Sequence, residues 1–208
     1  SRKPGDSIFI LLFHYLKSKN NENSLYYLDI AISYAFEFYS SFETSIYLDE
    51  AIKILLIKNR TAKETEKLLD YILRYVGVST NMGQLNDNFT RLLEALNIAN
   101  DTSFHEYAVN IMIALGRIDF LKGNPNEAQL WYEKALALAK DINNSSLIGL
   151  VYKYFGLNNI FIKNDFIKAN EYFELAIARF GENELIDNIE ALSFLAITYI
   201  SVGKVKKG

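Results

Sequence analysis

A chain of 208 residues, half of them hydrophobic and including 14 Tyr and 14 Phe, has enough apolar surface for a sizeable core and is not a disordered chain. Ten Gly and two Pro are too few for a sandwich or barrel of many short strands, and a net charge of −3 leaves no nucleic-acid footprint. The absence of cysteine excludes disulfides, thiolate zinc sites and cysteine nucleophiles, and no apolar run approaches the roughly 18 residues of a membrane span.

Apolar residues recur at three- and four-residue spacing along almost the whole chain, without period-two alternation. The spacing predicts about ten helices, near 7–19, 23–38, 42–58, 61–76, 85–100, 103–122, 125–140, 146–163, 166–180 and 184–202. Their starts are marked. Ser40 to Glu43, Thr61 to Glu64 and Ser103 to Glu106 fit the capping box, in which a hydroxyl caps the N3 amide and a carboxylate reaches back. Asn124-Pro125 offers a cap followed by proline at the first helical position, and Asp165 is placed to cap the helix from Phe166. Most joins are a few residues long, so neighbouring helices run antiparallel. Gly77 to Asp87, with two glycines and small polar residues, is the expected internal break, with packing continuing across it.

The helix ends share a phrase: LEALNIAND (Leu93–Asp101), EKALALAKD (Glu133–Asp141) and ELAIARFGE (Glu174–Glu182). Ala95, Ala135 and Ala176 fall at steps of 135 − 95 = 40 and 176 − 135 = 41 residues. A two-helix unit of this length, with an apolar face that only the next unit covers, is the mark of an α-solenoid.

The unit resembles the tetratricopeptide repeat. Leu115-Gly116, Gly123, Ala128, Tyr132 and Ala135 stand at the repeat's spacing. A second unit carries Leu157, Phe161, Ala169, Phe173 and Ala176, with Asn158 in place of the helix-A glycine and a turn read as one residue shorter. A third begins with Leu195, Ala196, Tyr199 and Gly203. The long helices resemble those of the solenoid sensor arms of bacterial and archaeal signalling proteins. Before residue 85 two phases compete. Counting back makes 23–38 an A helix, whereas Tyr15, Ser24, Leu28 and Ala31 fit an A–B pair one helix earlier.

Motifs for chemistry are scarce. His14 and His105 have no second histidine at ligand spacing, and GVSTNMG lacks the Lys-Ser/Thr end of a phosphate-binding loop. Acidic pairs such as Asp49/Glu50 and Glu64/Glu66 read as solvated helix faces, and Lys204, Lys206 and Lys207 form a basic end too short for nucleic acid. Tyr26, Tyr27, Tyr34, Phe36, Phe38 and Tyr39 read as inter-helix packing, with a partner surface as the alternative. The resemblance implies a groove lined by A helices, whose second, fifth and ninth residues face it. In this chain these are Asn110, Ile113 and Arg117, then Tyr152, Phe155 and Asn159, then Glu190, Ser193 and Thr198. The Lys positions of the family's carboxylate clamp are missing, which disfavours a chaperone-tail ligand.

The expectation is therefore an all-α protein, an α-solenoid coiled as a right-handed superhelix of antiparallel hairpins. Residues 1–208 are read as one helical-repeat domain: 7–84 divergent hairpins, 85–208 tetratricopeptide-like repeats. Starting without Met and stopping inside a repeat, the chain is read as a piece of a longer protein. The expected function is non-catalytic protein or peptide binding in the cytoplasm. No catalytic residue, cofactor or metal is implied, and the partner is a protein, a peptide or an intramolecular domain, not nucleic acid or membrane. The alternatives are a regulatory arm of a signalling ATPase or transcription regulator, an enzyme or small-molecule site between helices, and an oligomerisation module pairing through the terminal repeat.

Overall fold

The computed structural model describes residues 4–38, 40–57, 59–181, 184–201 and 203. Tyr39, Glu182, Lys204, Lys206, Lys207 and the expected helix ends at 58 and 202 lie outside them. Among the described residues there are ten α-helices and no strand. They are α1 (Pro4–Ser18), α2 (Asn21–Glu37), α3 (Ser41–Ile57), α4 (Ala62–Thr80), α5 (Leu85–Asp101), α6 (His105–Leu121), α7 (Pro125–Asp141), α8 (Ser145–Asn158), α9 (Phe166–Ile177) and α10 (Leu185–Ser201). A π-helical turn, Asn159–Lys163, follows α8 directly. None of these helices is long and apolar enough to cross a membrane.

The start signals divide into those that form and those that do not. Thr61 and Glu64 make the reciprocal capping box, Glu64 N–H to Thr61 Oγ1 at 3.3 Å and Thr61 N–H to Glu64 Oε2 at 3.0 Å. Asp165 accepts from Lys168 N–H at 3.0 Å. Ser103 does not cap α6. It takes a left-handed φ of +59° in the preceding turn, and Phe104 occupies the cap position. The expected break at Gly77 to Asp87 is also shorter than its composition predicts. α4 runs through Gly77 to Thr80, and only Asn81 to Gln84 separate it from α5. Buried Ser79 holds that corner by donating to Asn88 Oδ1 at 2.9 Å.

The chain divides into two compact units, residues 1–95 and 96–208, with the division inside α5. In the first unit α2 and α3 repeat a phrase at a step of 20 residues, Tyr27-Leu28-Asp29 with Ala31-Ile32 and Tyr47-Leu48-Asp49 with Ala51-Ile52. Both bury the leucine, the alanine and the isoleucine. A helix that repeats its neighbour's face fits either repeat phase, which is why the sequence supports both. The aspartates do equivalent work two helices on. Asp29 accepts from Lys67 Nζ and Tyr71 Oη of α4, and Asp49 accepts from Arg91 of α5 at 2.8 Å.

Burial by itself raises the Asp49 carboxyl pKa, but hydrogen bonds from Lys53 and Arg91 outweigh it and hold it below the ordinary 3.8. A carboxyl lowered on folding contributes stability above its unfolded value, and that stability is lost as pH falls through the folded one. Asp49→Asn is therefore expected to lower the urea midpoint at neutral pH, with the gap to the parent closing as pH falls through the lowered folded value. An equal gap at neutral and at acid pH would remove the ion pair from the account.

The second unit builds its core from α6 to α10. Val109, Ile113, Ala128, Tyr132, Ala135, Ala139, Val151 and Phe155 form one cluster, and Ala169, Phe173, Ala176 and Ala191 a second. Small residues let the helix axes approach, and one buried ring fills each gap. On α10 the outward residues Leu185, Ile189, Leu192 and Ile200 are exposed.

Candidate functional site

The groove is set by a register that burial makes visible. α6 buries Ala108, Val109, Ile111, Ile113, Leu115, Gly116, Ile118 and Asp119. Forty residues on, α8 buries Leu147, Ile148, Gly149, Val151, Lys153, Phe155, Gly156 and Asn158, and buried Asn159 follows at the start of the π-helical turn. Ala191 and Thr198 of α10 continue the step from Val151 and Asn158. The glycines confirm it. A Cβ on Gly116 would lie 2.3 Å from Tyr132 Cε1, and one on Gly156 would lie 2.6 Å from Phe173 Cε1.

The second hairpin is thus two residues out of the register expected from Leu157-Asn158. Phe155-Gly156 stand where Leu115-Gly116 stand in the first. The connection is also longer by one residue, not shorter: Gly156 to Ala169 against Gly116 to Ala128. The extra residue is absorbed by the π-helical turn Asn159–Lys163, and Asn164 then takes the left-handed φ, +52°, that Gly123 takes at +78° in the first hairpin. The turn carries Phe161, whose ring meets Phe120 at 6.1 Å and Phe194 at 6.2 Å between centroids.

In this register α6, α8 and α10 line a recess of about 260 Å³. Arg117, Phe120 and Leu121 come from α6, Lys153, Tyr154 and Leu157 from α8, Phe161 from the π-turn, Glu190 and Phe194 from α10, and Tyr132 of α7 closes the wall. The side chains are mostly rings and leucines, so the polar groups decide what the recess can hold. Lys153 is buried and donates to Asp187 and to Glu190, the latter at 2.8 Å. Burial lowers its pKa, but the two carboxylates outweigh that and hold it above its ordinary value. Arg117 is exposed, with its guanidinium 5.7 Å from the centre of the Tyr154 ring. Burial, with Tyr154 beside it, pushes the Tyr132 hydroxyl pKa up, so that wall is uncharged.

Two of the nine expected groove residues, Arg117 and Glu190, line this recess. Ile113, Phe155, Asn159 and Thr198 are buried and offer a ligand no surface. Asn159 donates to the Phe155 carbonyl at 2.8 Å, and Thr198 to the Leu195 carbonyl at 2.8 Å. Tyr152 stacks on Tyr172 at 6.2 Å, Asn110 donates to the Glu106 carbonyl at 3.1 Å, and exposed Ser193 donates to the Ile189 carbonyl at 2.7 Å. Phe120, Leu121, Lys153, Tyr154 and Phe194 line the recess without having been singled out. Aligning the two glycines with their aromatic partners, 16 and 17 residues on, would have brought Lys153 and Leu157 to the fifth and ninth groove positions.

No family model and no curated protein matches the chain. Solved structures do. A Rap protein complexed with Competence and Sporulation Factor is similar at a TM-score of 0.72 and 18% identity, over 88% of this chain and 50% of that one. The Rap conjugation gene regulator of plasmid pLS20, in complex with a Phr peptide, gives 0.69 at 16% identity, over 90% and 56%. A Signal Transduction ATPase with Numerous Domains from Pyrococcus horikoshii, with a tetratricopeptide repeat sensor, gives 0.67 at 18% identity, over 85% and 27%. The chain spans about half of each Rap chain and about a quarter of the ATPase. The fold is a tetratricopeptide-like α-solenoid.

Proposed function

We propose that this chain is a non-catalytic scaffold that binds a peptide or an extended protein segment in the groove of α6, α8 and α10. The observation that carries this reading is the ring-lined recess, to which three helices in one register contribute. Its 260 Å³ falls short of the roughly 300–1,000 Å³ of small-molecule sites, and suits a side-chain anchor. The Rap regulator in complex with a Phr peptide supports a peptide ligand. In this reading the chain acts in the cytoplasm.

Peptides selected from a displayed random library against the chain are expected to lose at least about ten-fold in affinity on Phe161→Asp or Leu121→Asp. Ile57→Asp, at a still more exposed apolar site in the first unit, is expected to leave them unaffected. Selected binders indifferent to Phe161 and Leu121, or no binders at all, would sink the reading.

A second reading, an effector-sensing arm of a signalling ATPase or transcription regulator, is favoured by similarity to the ATPase with its repeat sensor. A full-length gene without a nucleotide-binding or DNA-binding segment would remove it.

A further inference from the structure

We infer that the groove selects an internal acidic–apolar pair: a bulky apolar side chain in the recess, and the neighbouring side-chain carboxylate on Arg117. This rests on the peptide-binding reading and goes further, to the chemistry of the ligand. The charges lining the recess are Arg117, Lys153 and Glu190. Lys153 and Glu190 are committed to each other, with Asp187 on the same ammonium at the α10 end. Asp119, two residues from Arg117, is buried and accepts from Trp131 Nε1 at 3.1 Å. Among the described residues the Arg117 guanidinium has neither a hydrogen bond nor an ion pair; it lies 5.7 Å from the centre of the Tyr154 ring.

A free guanidinium at the edge of an apolar wall is a carboxylate site in waiting. Its planar fork takes both oxygens at once, and the ring beside it limits the freedom lost on binding. The apolar lining strengthens the pair beyond what open water allows. Phe120, Leu121, Leu157, Phe161 and Phe194 then take the adjacent side chain. A chain terminus is disfavoured, because a single fork with no second uncommitted donor leaves part of a fixed terminal carboxylate unmet. A side-chain carboxylate at the exposed rim keeps its remaining lone pairs in water.

The test uses dye-labelled twelve-residue peptides, acetylated, amidated and Gly/Ser-flanked, with central pairs Leu-Glu, Leu-Gln, Leu-Lys or Ser-Glu. A fifth ends in a leucine with a free carboxylate. Anisotropy titrations are expected to place Leu-Glu about five- to twenty-fold tighter than Leu-Gln, with Leu-Lys weaker still and Ser-Glu weak. Arg117→Gln should erase the Leu-Glu preference, Arg117→Lys should keep part of it, and circular dichroism should show both variants folded. Equal binding of Leu-Glu and Leu-Gln, or a preference that survives Arg117→Gln, overturns the acid site. Tightest binding by the free-acid peptide overturns the internal placement. If none of the five binds while library-selected peptides do, the acidic–apolar ligand is wrong and the groove stands; if nothing binds, both fall.

Discussion

Phe173→Ala and Tyr132→Ala are each expected to lower the free energy of unfolding by about 3–5 kcal/mol, measured by urea denaturation. Both rings are fully enclosed, at 0% and 1% exposure, and each fills the space over the glycine of the preceding helix. Truncation removes the transfer free energy of the ring and leaves a cavity that the rigid helix pair cannot close. Phe161→Ala deletes a ring of the same size that is 60% exposed, and is expected to cost less than about 1 kcal/mol. A loss at Phe161 equal to that at Phe173 would mean that the π-turn is part of the core and not the wall of a groove.

Gly116→Ala and Gly156→Ala are expected to destabilise by about 1–3 kcal/mol, although alanine is the better helix former. The new methyl would stand 2.3 Å from a Tyr132 ring carbon in the first and 2.6 Å from a Phe173 ring carbon in the second. Both rings are packed in the core, at 1% and 0% exposure, so the ring or the helix that carries it must shift to admit the methyl. Gly77→Ala has the opposite sign. Gly77 is exposed within α4 and a Cβ there meets nothing within 4 Å, so the substitution is expected to stabilise by about 0.5–1 kcal/mol. Denaturation midpoints of the three variants decide the matter. A stabilising Gly156→Ala would show that close axial approach is not what the glycine provides.

Gly77 also shows how far local composition can be trusted. Beside Ser79, Thr80 and Gly83 it reads as a loop, yet α4 continues because Tyr71, Ile72, Val76 and Ser79 are buried on one face. Tertiary burial outweighs the propensity of one glycine, which is worth only about 1 kcal/mol. Ser103 is the converse. Its capping-box spacing with Glu106 is right, but the chain needs a left-handed residue to leave α5, and Ser103 supplies that instead.

The ten described helices, their hairpin order and the first hairpin's unit of Gly116 and Tyr132 were legible in the sequence. They depend on helical periodicity and on side-chain size, both local properties. The glycine under Phe173 was not legible, because the expected register put Asn158 in its place. Of the residues that line the candidate recess, the sequence had named only Arg117 and Glu190 as groove positions. A one-residue excess can be read from a sequence, but whether it lengthens a turn or becomes a π-turn depends on which alignment of rings and glycines packs without a void. That choice moved Lys153, Tyr154 and Leu157 to the recess and sent Phe155 and Asn159 inward. Which charges remain available was likewise decided by the fold. Lys153 and Arg117 are two cations in the sequence, and only the approach of α10 to α8 commits one and leaves the other free.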